Sequence, residues 1–165
     1  APRKVQLKQR EEKVSFLHAD VNDVTRFIKP DSVDVITCNP PYFKLSESSF
    51  TNELDAFAIA RHEIHLTLDQ LMKQTSHLLK MKGKAYFVHR PDRLMEILET
   101  MRNNRIAPKK LQFIYPKQNK EANMILIEGI KDGKEDGFRV LPPLVVYNEE
   151  GEYSQKVKDV LYGEQ

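Results

Sequence analysis

The stretch Val33-Asp34-Val35-Ile36-Thr37-Cys38-Asn39-Pro40-Pro41-Tyr42 decides the fold of this chain. Its first six residues are mainly β-branched and apolar, which predicts a strand buried on both faces of a parallel sheet. The strand must stop at the prolines, because each proline ring removes a donor from the ladder. Asn39 is therefore expected at the carboxyl end of a buried strand, where open α/β sheets bind their ligands.

The polar groups of this loop suit a planar amine. The side-chain oxygen of Asn39 and the main-chain carbonyl of Pro40 can each accept one N–H. An amine such as N6 of adenine, held in this way, has its lone pair aimed at an electrophile. Tyr42 can stack on the base, a contact worth about 1–3 kcal/mol in nucleic-acid-binding proteins. Asn39, Pro40 and Tyr42 are thus the predicted catalytic residues, and a simple strand-to-loop turn is the alternative.

Composition narrows the class of protein. The chain has 165 residues, enough for one ordinary domain, with a globular balance of 40% hydrophobic and 30% charged residues. The single cysteine, Cys38, excludes an internal disulfide and indicates a reducing compartment, so a cytoplasmic location is expected. We interpret Cys38 as a small buried hydrophobe. No apolar run approaches the length of about 18 residues typical of a membrane span, and neither a membrane partner nor a metal site is predicted.

Positive charge is concentrated in the middle of the chain. The net charge is +2, but the segment 80–120 holds 11 Lys and Arg residues against 3 Asp and Glu. Such a block is able to contact RNA phosphates, and solvated helix faces and strand ends are the alternative. The eleven cations are Lys80, Lys82, Lys84, Arg90, Arg93, Arg102, Arg105, Lys109, Lys110, Lys117 and Lys120.

Strands and helices are predicted to alternate along the chain. A strand is expected over Val14–Asp20, and Asp23 is expected to cap a short helix over 24–28. The capping box Thr67-Leu68-Asp69-Gln70 opens a longer helix that Gly83 is expected to end. The later predicted elements are a strand over 85–89, a helix from Pro91, and strands over 111–115 and 122–128, the last broken by Gly129. These two strands form a hairpin, so the last strand should run antiparallel.

The motifs resemble those of bacterial tRNA1(Val) adenine-N6-methyltransferases. Asn39-Pro40-Pro41-Tyr42 matches the Asn/Asp-Pro-Pro-Tyr/Phe signature of S-adenosylmethionine-dependent amino-methyltransferases. The other matching stretches are Ala60-Arg61-His62-Glu63, His89-Arg90-Pro91, and Pro116 through Glu121-Ala122-Asn123 to Glu128-Gly129. The match covers nearly all of the chain from Val14. It implies an α/β fold, namely the carboxyl-terminal part of a Rossmann-like class I methyltransferase sheet with an antiparallel last strand.

The resemblance also implies a function. The expected reaction is N6-methylation of an adenine in RNA, at adenosine 37 beside the anticodon of tRNA(Val), with S-adenosylmethionine as the methyl donor. One alternative is another amino-methyltransferase that acts on N2 of guanine in rRNA or on the side-chain amide of a protein glutamine. The other alternative is a non-catalytic RNA-binding domain.

Further site residues follow from the resemblance. Asp20, Val21 and Asn39 are implied to bind the cofactor, although a turn or helix cap explains Asp20 equally well. The residues implied to bind the substrate are Pro41, Phe43, Arg61, His62, His89 and Arg90. A surface ion pair for Arg61 and His62, and an ordinary strand-end role for His89, are the alternatives.

One departure from the family concerns glycine. The family begins with a Gly-rich cofactor loop and an acidic strand end, but all six glycines here follow the Asn39 loop. We therefore expect a fragment that lacks the first two strands, with a gap or a bare sheet edge between the Val14 strand and the Val33 strand. Such a fragment is expected to bind the cofactor weakly or not at all. The expected parts are a charged arm over 1–13, a catalytic region over 14–130 and an extension over 131–165.

Overall fold

The computed structural model describes residues 14–40 and 66–163, which form a mixed sheet with two helices packed against it. The strands are β1 (Val33–Cys38), β2 (Leu79–His89), β3 (Ile106–Tyr115), β4 (Met124–Lys131), β5 (Arg139–Val140) and β6 (Leu144–Val145). The helices are α1 (Leu68–Leu78), α2 (Leu94–Asn103) and α3 (Gln155–Tyr162), with 3₁₀ helices at Val21–Arg26 and Pro91–Arg93.

Strand direction decides which loops share one end of the sheet. The order is β1-β2-β4-β3-β5, and β6 also pairs with β3. β1 and β2 are parallel, whereas β4 is antiparallel to both β2 and β3. The antiparallel direction predicted for the strand over 122–128, which is β4, is thus confirmed. β1, β2 and β3 all point the same way, so Cys38, His89 and Tyr115 end at one side, which we call the carboxyl end of the sheet.

The core lies between one face of the sheet and the helices α1 and α2. Alternate strand residues point to this face, as the period of two requires. Phe87 and Ile127 are 1% and 0% exposed, and they meet Met72 from α1 and Ile97 from α2. Burying each such side chain contributes about 1.5–3 kcal/mol before the entropy cost of ordering it. The apolar faces predicted for the two helices therefore pack against this face of the sheet and stabilise it.

β1 lies at the margin of the sheet, and the prediction that it is buried on both faces was wrong. Within the described part of the chain it pairs only with β2, and none of its six residues is buried. Ile36 and Cys38 pack against the core, whereas Val35 points the other way and is 53% exposed. A β-branched run reports strand propensity, but it does not report the position of the strand within the sheet.

α1 begins as predicted but ends earlier. The amide of Gln70 donates to Thr67 Oγ1 at 3.2 Å, and the amide of Thr67 donates to Gln70 Oε1 at 2.8 Å. β2 follows directly after Leu78, so the prediction that Gly83 ends the helix was wrong. Gly83 lies within β2, where an added Cβ would be 2.9 Å from the carbonyl oxygen of Lys80. Glycine is used there for close backbone approach.

Replacing Thr67 with alanine is expected to lower the free energy of unfolding by about 1 kcal/mol, because the amide of Gln70 loses its cap. Urea denaturation of the wild type, Thr67→Ala and Thr67→Ser measures the effect. Serine keeps a hydroxyl acceptor, so the Thr67→Ser variant should remain close to the wild type. Equal losses in the two variants would mean that the cap does not stabilise α1.

The region before β1 differs from its prediction. Residues 14–20 form no strand with any other described residue, so the predicted strand over Val14–Asp20 was wrong. The backbone N–H and C=O groups of a strand need hydrogen-bond partners on a neighbouring strand, and no described strand lies beside residues 14–20. The helix that follows is a 3₁₀ helix over Val21–Arg26, and its cap is Asp20 and not Asp23. Asp23 instead forms an ion pair with Arg26 at 3.2 Å.

β4 continues through Gly129, so the prediction that this glycine ends the strand was wrong. Gly129 pairs with Ala85 on one side and Pro108 on the other. After β4, the chain adds β5 and β6, both parallel to β3, and then α3. None of the helices in the described ranges has the length and apolar character that a membrane span requires.

Candidate active site

The two parallel strands β1 and β2 bring predicted site residues to the carboxyl end of the sheet. Their register places Cys38 opposite Phe87. Asn39 therefore follows β1, while His89 ends the neighbouring strand β2 and Arg90 follows it. This is the position at which open α/β sheets bind their ligands.

Asn39 and Pro40 differ sharply in burial. Asn39 is exposed at the end of β1, whereas Pro40 is buried. The amide of Asn39 is thus open to an incoming group, while the fixed φ angle of a buried proline stiffens the backbone beside it. An exposed amide next to an anchored carbonyl is a suitable pair of acceptors for the two N–H bonds of an amine.

Cys38 has the environment of a packing residue. It is partly buried and packs against the hydrophobic core. Burial raises the pKa of its thiol, so the thiol stays protonated near neutral pH. Because the thiolate is the nucleophilic form, this cysteine is poorly suited to covalent catalysis.

His89 is 1% exposed at the end of β2. The amide of Arg90 donates to His89 Nδ1 at 2.8 Å, which fixes Nδ1 as an acceptor. Burial lowers the pKa of His89, and the nearby Arg93 guanidinium lowers it further, against the opposing effects of Asp92 and Glu96. The ring is therefore neutral at physiological pH, and its burial favours a role in supporting the strand end.

The stability of the protein is expected to fall as the pH drops below about 6.5, in part because of His89. Its pKa in the folded protein lies below the ordinary 6.5, so between these two values the unfolded chain binds more protons than the folded one. Stability then rises with pH across that window and is lost as the pH falls through it. Urea unfolding between about pH 5 and 7 should show a weaker pH dependence in His89→Gln than in wild type.

The wild type and His89→Gln are compared across the same pH series. The comparison uses the slope of stability against pH, so a uniform loss of stability in His89→Gln does not affect it. An unchanged slope in His89→Gln would contradict the assignment.

Arg90 and Arg93 lie beside the candidate site, and their side chains differ in exposure and in ion-pair partners. The Arg90 side chain is 59% exposed, with its Nε 3.5 Å from a carboxylate oxygen of Asp92. Arg93 is largely buried and contacts Glu96 through both Nε and Nη2, at 2.9 and 2.5 Å. Arg90 is thus the more accessible cation at this point of the sheet.

Asp20 caps the first 3₁₀ helix, as one of the two sequence interpretations expected. The amide of Asn22 donates to Asp20 Oδ1 at 2.8 Å. The same helix is tied to α1, because Gln74 Nε2 donates to the carbonyl of Asn22 at 3.4 Å. A carboxylate has two oxygens, and this hydrogen bond uses only Oδ1 of Asp20.

Several predicted site residues fall outside the described ranges. They are Pro41, Tyr42, Phe43, Arg61 and His62, together with the arm over 1–13. The site is therefore described at Asn39, Pro40, His89 and Arg90. In residues 14–40 and 66–163, no cluster of side chains has the composition of a metal site.

Sequence reasoning did not assign the β3–β4 loop to the site. Because β3 is parallel to β1 and β2, the loop over 116–123 lies at the carboxyl end of the sheet, as Asn39 does. It carries the exposed residues Lys117 and Lys120. The sequence predicted a helix between the strands over 85–89 and 111–115, and a helical crossover is typical of parallel strands, so a hairpin after it turns at their carboxyl end.

Comparison with known proteins identifies relatives. A tRNA1(Val) (adenine(37)-N6)-methyltransferase from Aliivibrio salmonicida is 31% identical over 112 residues, which are 68% of this chain and 47% of that protein. The chain is a relative of the tRNA1(Val) adenine-N6-methyltransferases. It spans about half the length of the curated relatives it matches. No protein-family model matches the chain.

Two solved structures share the fold of this chain. An Agrobacterium tumefaciens protein named a predicted O-methyltransferase aligns with a TM-score of 0.72 over 98% of this chain and 70% of its own, at 18% identity. A putative DNA modification methylase from Thermus thermophilus, in complex with S-adenosyl-L-methionine, aligns with a TM-score of 0.51 at 17% identity. That match covers 86% of this chain and 59% of the other. The α/β, class I methyltransferase fold expected from the sequence is confirmed.

Proposed function

We propose that this chain carries the catalytic region of an S-adenosylmethionine-dependent methyltransferase that modifies N6 of adenine in RNA. The proposed substrate is tRNA(Val), at adenosine 37 beside the anticodon. The observation that carries the proposal is the exposed Asn39 next to the buried Pro40 at the carboxyl end of two parallel strands. The names of the relatives support the same reaction and the same RNA.

Asn39 and Pro40 act by positioning the amine. The amide oxygen of Asn39 and the carbonyl oxygen of Pro40 each accept one N–H of the exocyclic nitrogen. These two bonds draw the lone pair of the nitrogen out of conjugation with the ring and aim it at the electrophilic methyl group. No general base is required before attack, because the proton can leave after the new bond has formed. Orientation of this kind is a large share of catalytic power in bimolecular reactions.

Three of the residues present suit one part of the proposed cofactor site. S-adenosylmethionine, when bound, supplies an electrophilic methyl group on a positively charged sulfur. Asp20 has a carboxylate oxygen besides the one that caps the 3₁₀ helix, and this oxygen is proposed to accept from the adenine of the cofactor. Val21 is 37% exposed and is proposed to pack on that ring, with Asn39 completing the site.

The substrate contacts form the remaining part of the proposal. Tyr42 is proposed to stack on the target base. Arg90 is exposed and suits a phosphate, whereas the burial of His89 restricts it to supporting this contact. The other residues proposed to contact the substrate are Pro41, Phe43, Arg61 and His62. In the proposed organisation, residues 14–130 form the catalytic region, and a cytoplasmic location follows from a tRNA substrate.

Methyl transfer by the full-length protein tests this function. The protein is incubated with S-adenosylmethionine and either unmodified tRNA or a glutamine-containing peptide, and the products are digested and analysed by mass spectrometry. The expected product is N6-methyladenosine at position 37 of the tRNA. Methylation of the peptide, or of guanine in place of adenine, would instead indicate one of the other amino-methyltransferase reactions. Absence of any methylated product, with retained RNA binding, would indicate a non-catalytic RNA-binding domain.

A further inference from the structure

The structure separates the central basic block into paired and unpaired cations. Among the described residues, seven of the eleven cations form ion pairs with carboxylates, and most of these acids come from outside the segment 80–120. Lys80, for example, lies 2.7 Å from Asp34, and Arg105 lies 2.7 Å from Asp132. The positive charge that is prominent in the sequence is therefore largely neutralised in the fold.

Four cations of the block have no ion pair among the described residues: Lys82, Lys84, Lys117 and Lys120. Lys82 lies near the start of β2, at the end of the sheet opposite Asn39. Lys84 lies within β2, close enough to Glu128 to influence its pKa. Of these four, only Lys117 and Lys120 are at the carboxyl end, in the β3–β4 loop.

The loop holds these two lysines in a defined place. The amide of Lys120 donates to the carbonyl of Lys117 at 3.2 Å, and the amide of Asn123 donates to the carbonyl of Ile114 at 3.1 Å. The loop joins β3 to β4, which are separated from β1 by two or three strand spacings. At about 4.8 Å per spacing, it lies roughly 10–15 Å from Asn39 across the sheet. A few nucleotides of single-stranded RNA cover that distance.

We propose that Lys117 and Lys120 bind the phosphate backbone of the RNA substrate a few nucleotides from the target adenine. This inference rests on the proposed function and names a substrate contact for it. Lysine ammonium groups bind phosphates as point charges. Each contact displaces a counterion from the RNA, so binding that uses them must weaken as salt is added. The two lysines are exposed and form no ion pair with any residue that the structure describes, so their full charge is available for this contact.

The test is RNA binding by full-length protein carrying Lys117→Gln and Lys120→Gln, measured by fluorescence anisotropy with tRNA over a range of salt concentrations. We expect about tenfold weaker binding at low ionic strength. The slope of log K against log salt should fall by about 1–2, as the loss of two phosphate contacts requires. At saturating tRNA the kcat should stay near that of the wild type while KM rises, because neither lysine touches the reacting atoms.

The matched control removes two other exposed lysines, Lys29 and Lys82, which lie towards the opposite end of the sheet. Lys29→Gln with Lys82→Gln changes the net charge equally and should preserve both the affinity and the salt slope. Equal effects in the two double variants would reduce the result to net charge and overturn the inference. Unchanged binding in the Lys117→Gln/Lys120→Gln variant would also overturn it.

The proposed function and this inference fail in different ways. If the wild-type protein methylates tRNA but the loop variant binds it normally, only the lysine contact is wrong. If the wild type yields no N6-methyladenosine, the proposed function is wrong, and the inference that rests on it falls too. Thermal unfolding of both double variants checks that the exposed substitutions leave the fold intact.

Discussion

Replacing Asn39 with alanine should reduce methyl transfer to tRNA by about 10²–10³-fold, the range observed when one preorganised hydrogen-bonding group is removed from an active site. The amine would lose the acceptor that holds one of its N–H bonds, so its lone pair would no longer be aimed at the electrophile. Single-turnover rates with full-length protein and saturating tRNA measure the effect on the chemical step. Because Asn39 is exposed, the free energy of unfolding should hardly change.

Asn39→Asp is the matched control for this experiment. A carboxylate keeps an acceptor oxygen at the same position, and the sequence signature of these methyltransferases admits either residue. This variant should therefore retain much more activity than Asn39→Ala, and both variants should bind RNA as the wild type does. If Asn39→Ala kept wild-type rates, the amine-positioning role of the loop would be excluded.

Replacing Gly129 with alanine should lower the free energy of unfolding by about 1–3 kcal/mol, which is the usual cost of overpacking a core. An added Cβ would lie only 2.5 Å from Ile106 Cγ2, and it would be closer still to the terminal methyl of Met101. Both side chains are completely buried. The thioether of Met101 can swing aside, but the branched Ile106 is held at its χ1 angle. Thermal and urea denaturation report the loss.

Gly133→Ala provides the comparison for Gly129→Ala. Its added Cβ would lie 3.1 Å or more from the nearest heavy atoms, so a smaller loss is expected. A second check combines Gly129→Ala with Ile106→Ala. Removing the Cγ2 branch should make the glycine substitution less costly than it is in the wild type, which is measured as a coupling energy in a double-mutant cycle. Additive losses would show that Ile106 is not the obstacle.

The sequence predicted correctly those elements that depend on interactions between residues close together in the chain. The capping box at Thr67 and Gln70 formed as expected, because both hydrogen bonds join residues three apart. The hairpin of β3 and β4 also followed from its short connection, which allows only an antiparallel pair. The exposed Asn39 at the carboxyl end of β1 is a further consequence of strand order along the chain.

The glycines show where local reasoning failed. Gly83 and Gly129 were expected to end a helix and a strand, yet both lie inside strands. Each is needed because another group approaches the backbone closely: the carbonyl of Lys80 at Gly83, and the side chains of Met101 and Ile106 at Gly129. A glycine in a sequence indicates that something is unusual about the backbone there, but the approaching group is visible only after folding.

The sequence by itself determined the position of Asn39 at the end of a strand, the helix that begins at Thr67 and the antiparallel direction of β4, because these depend on neighbouring residues. Only the tertiary structure decided that no residue of β1 is buried and that Lys117 and Lys120, at the same end of the sheet as Asn39, have no ion-pair partner among the described residues. Distant acids such as Asp132 neutralise most of the other cations of the basic block. Strand neighbours and ion-pair partners are chosen across long sequence separations, and neither composition nor periodicity records that choice.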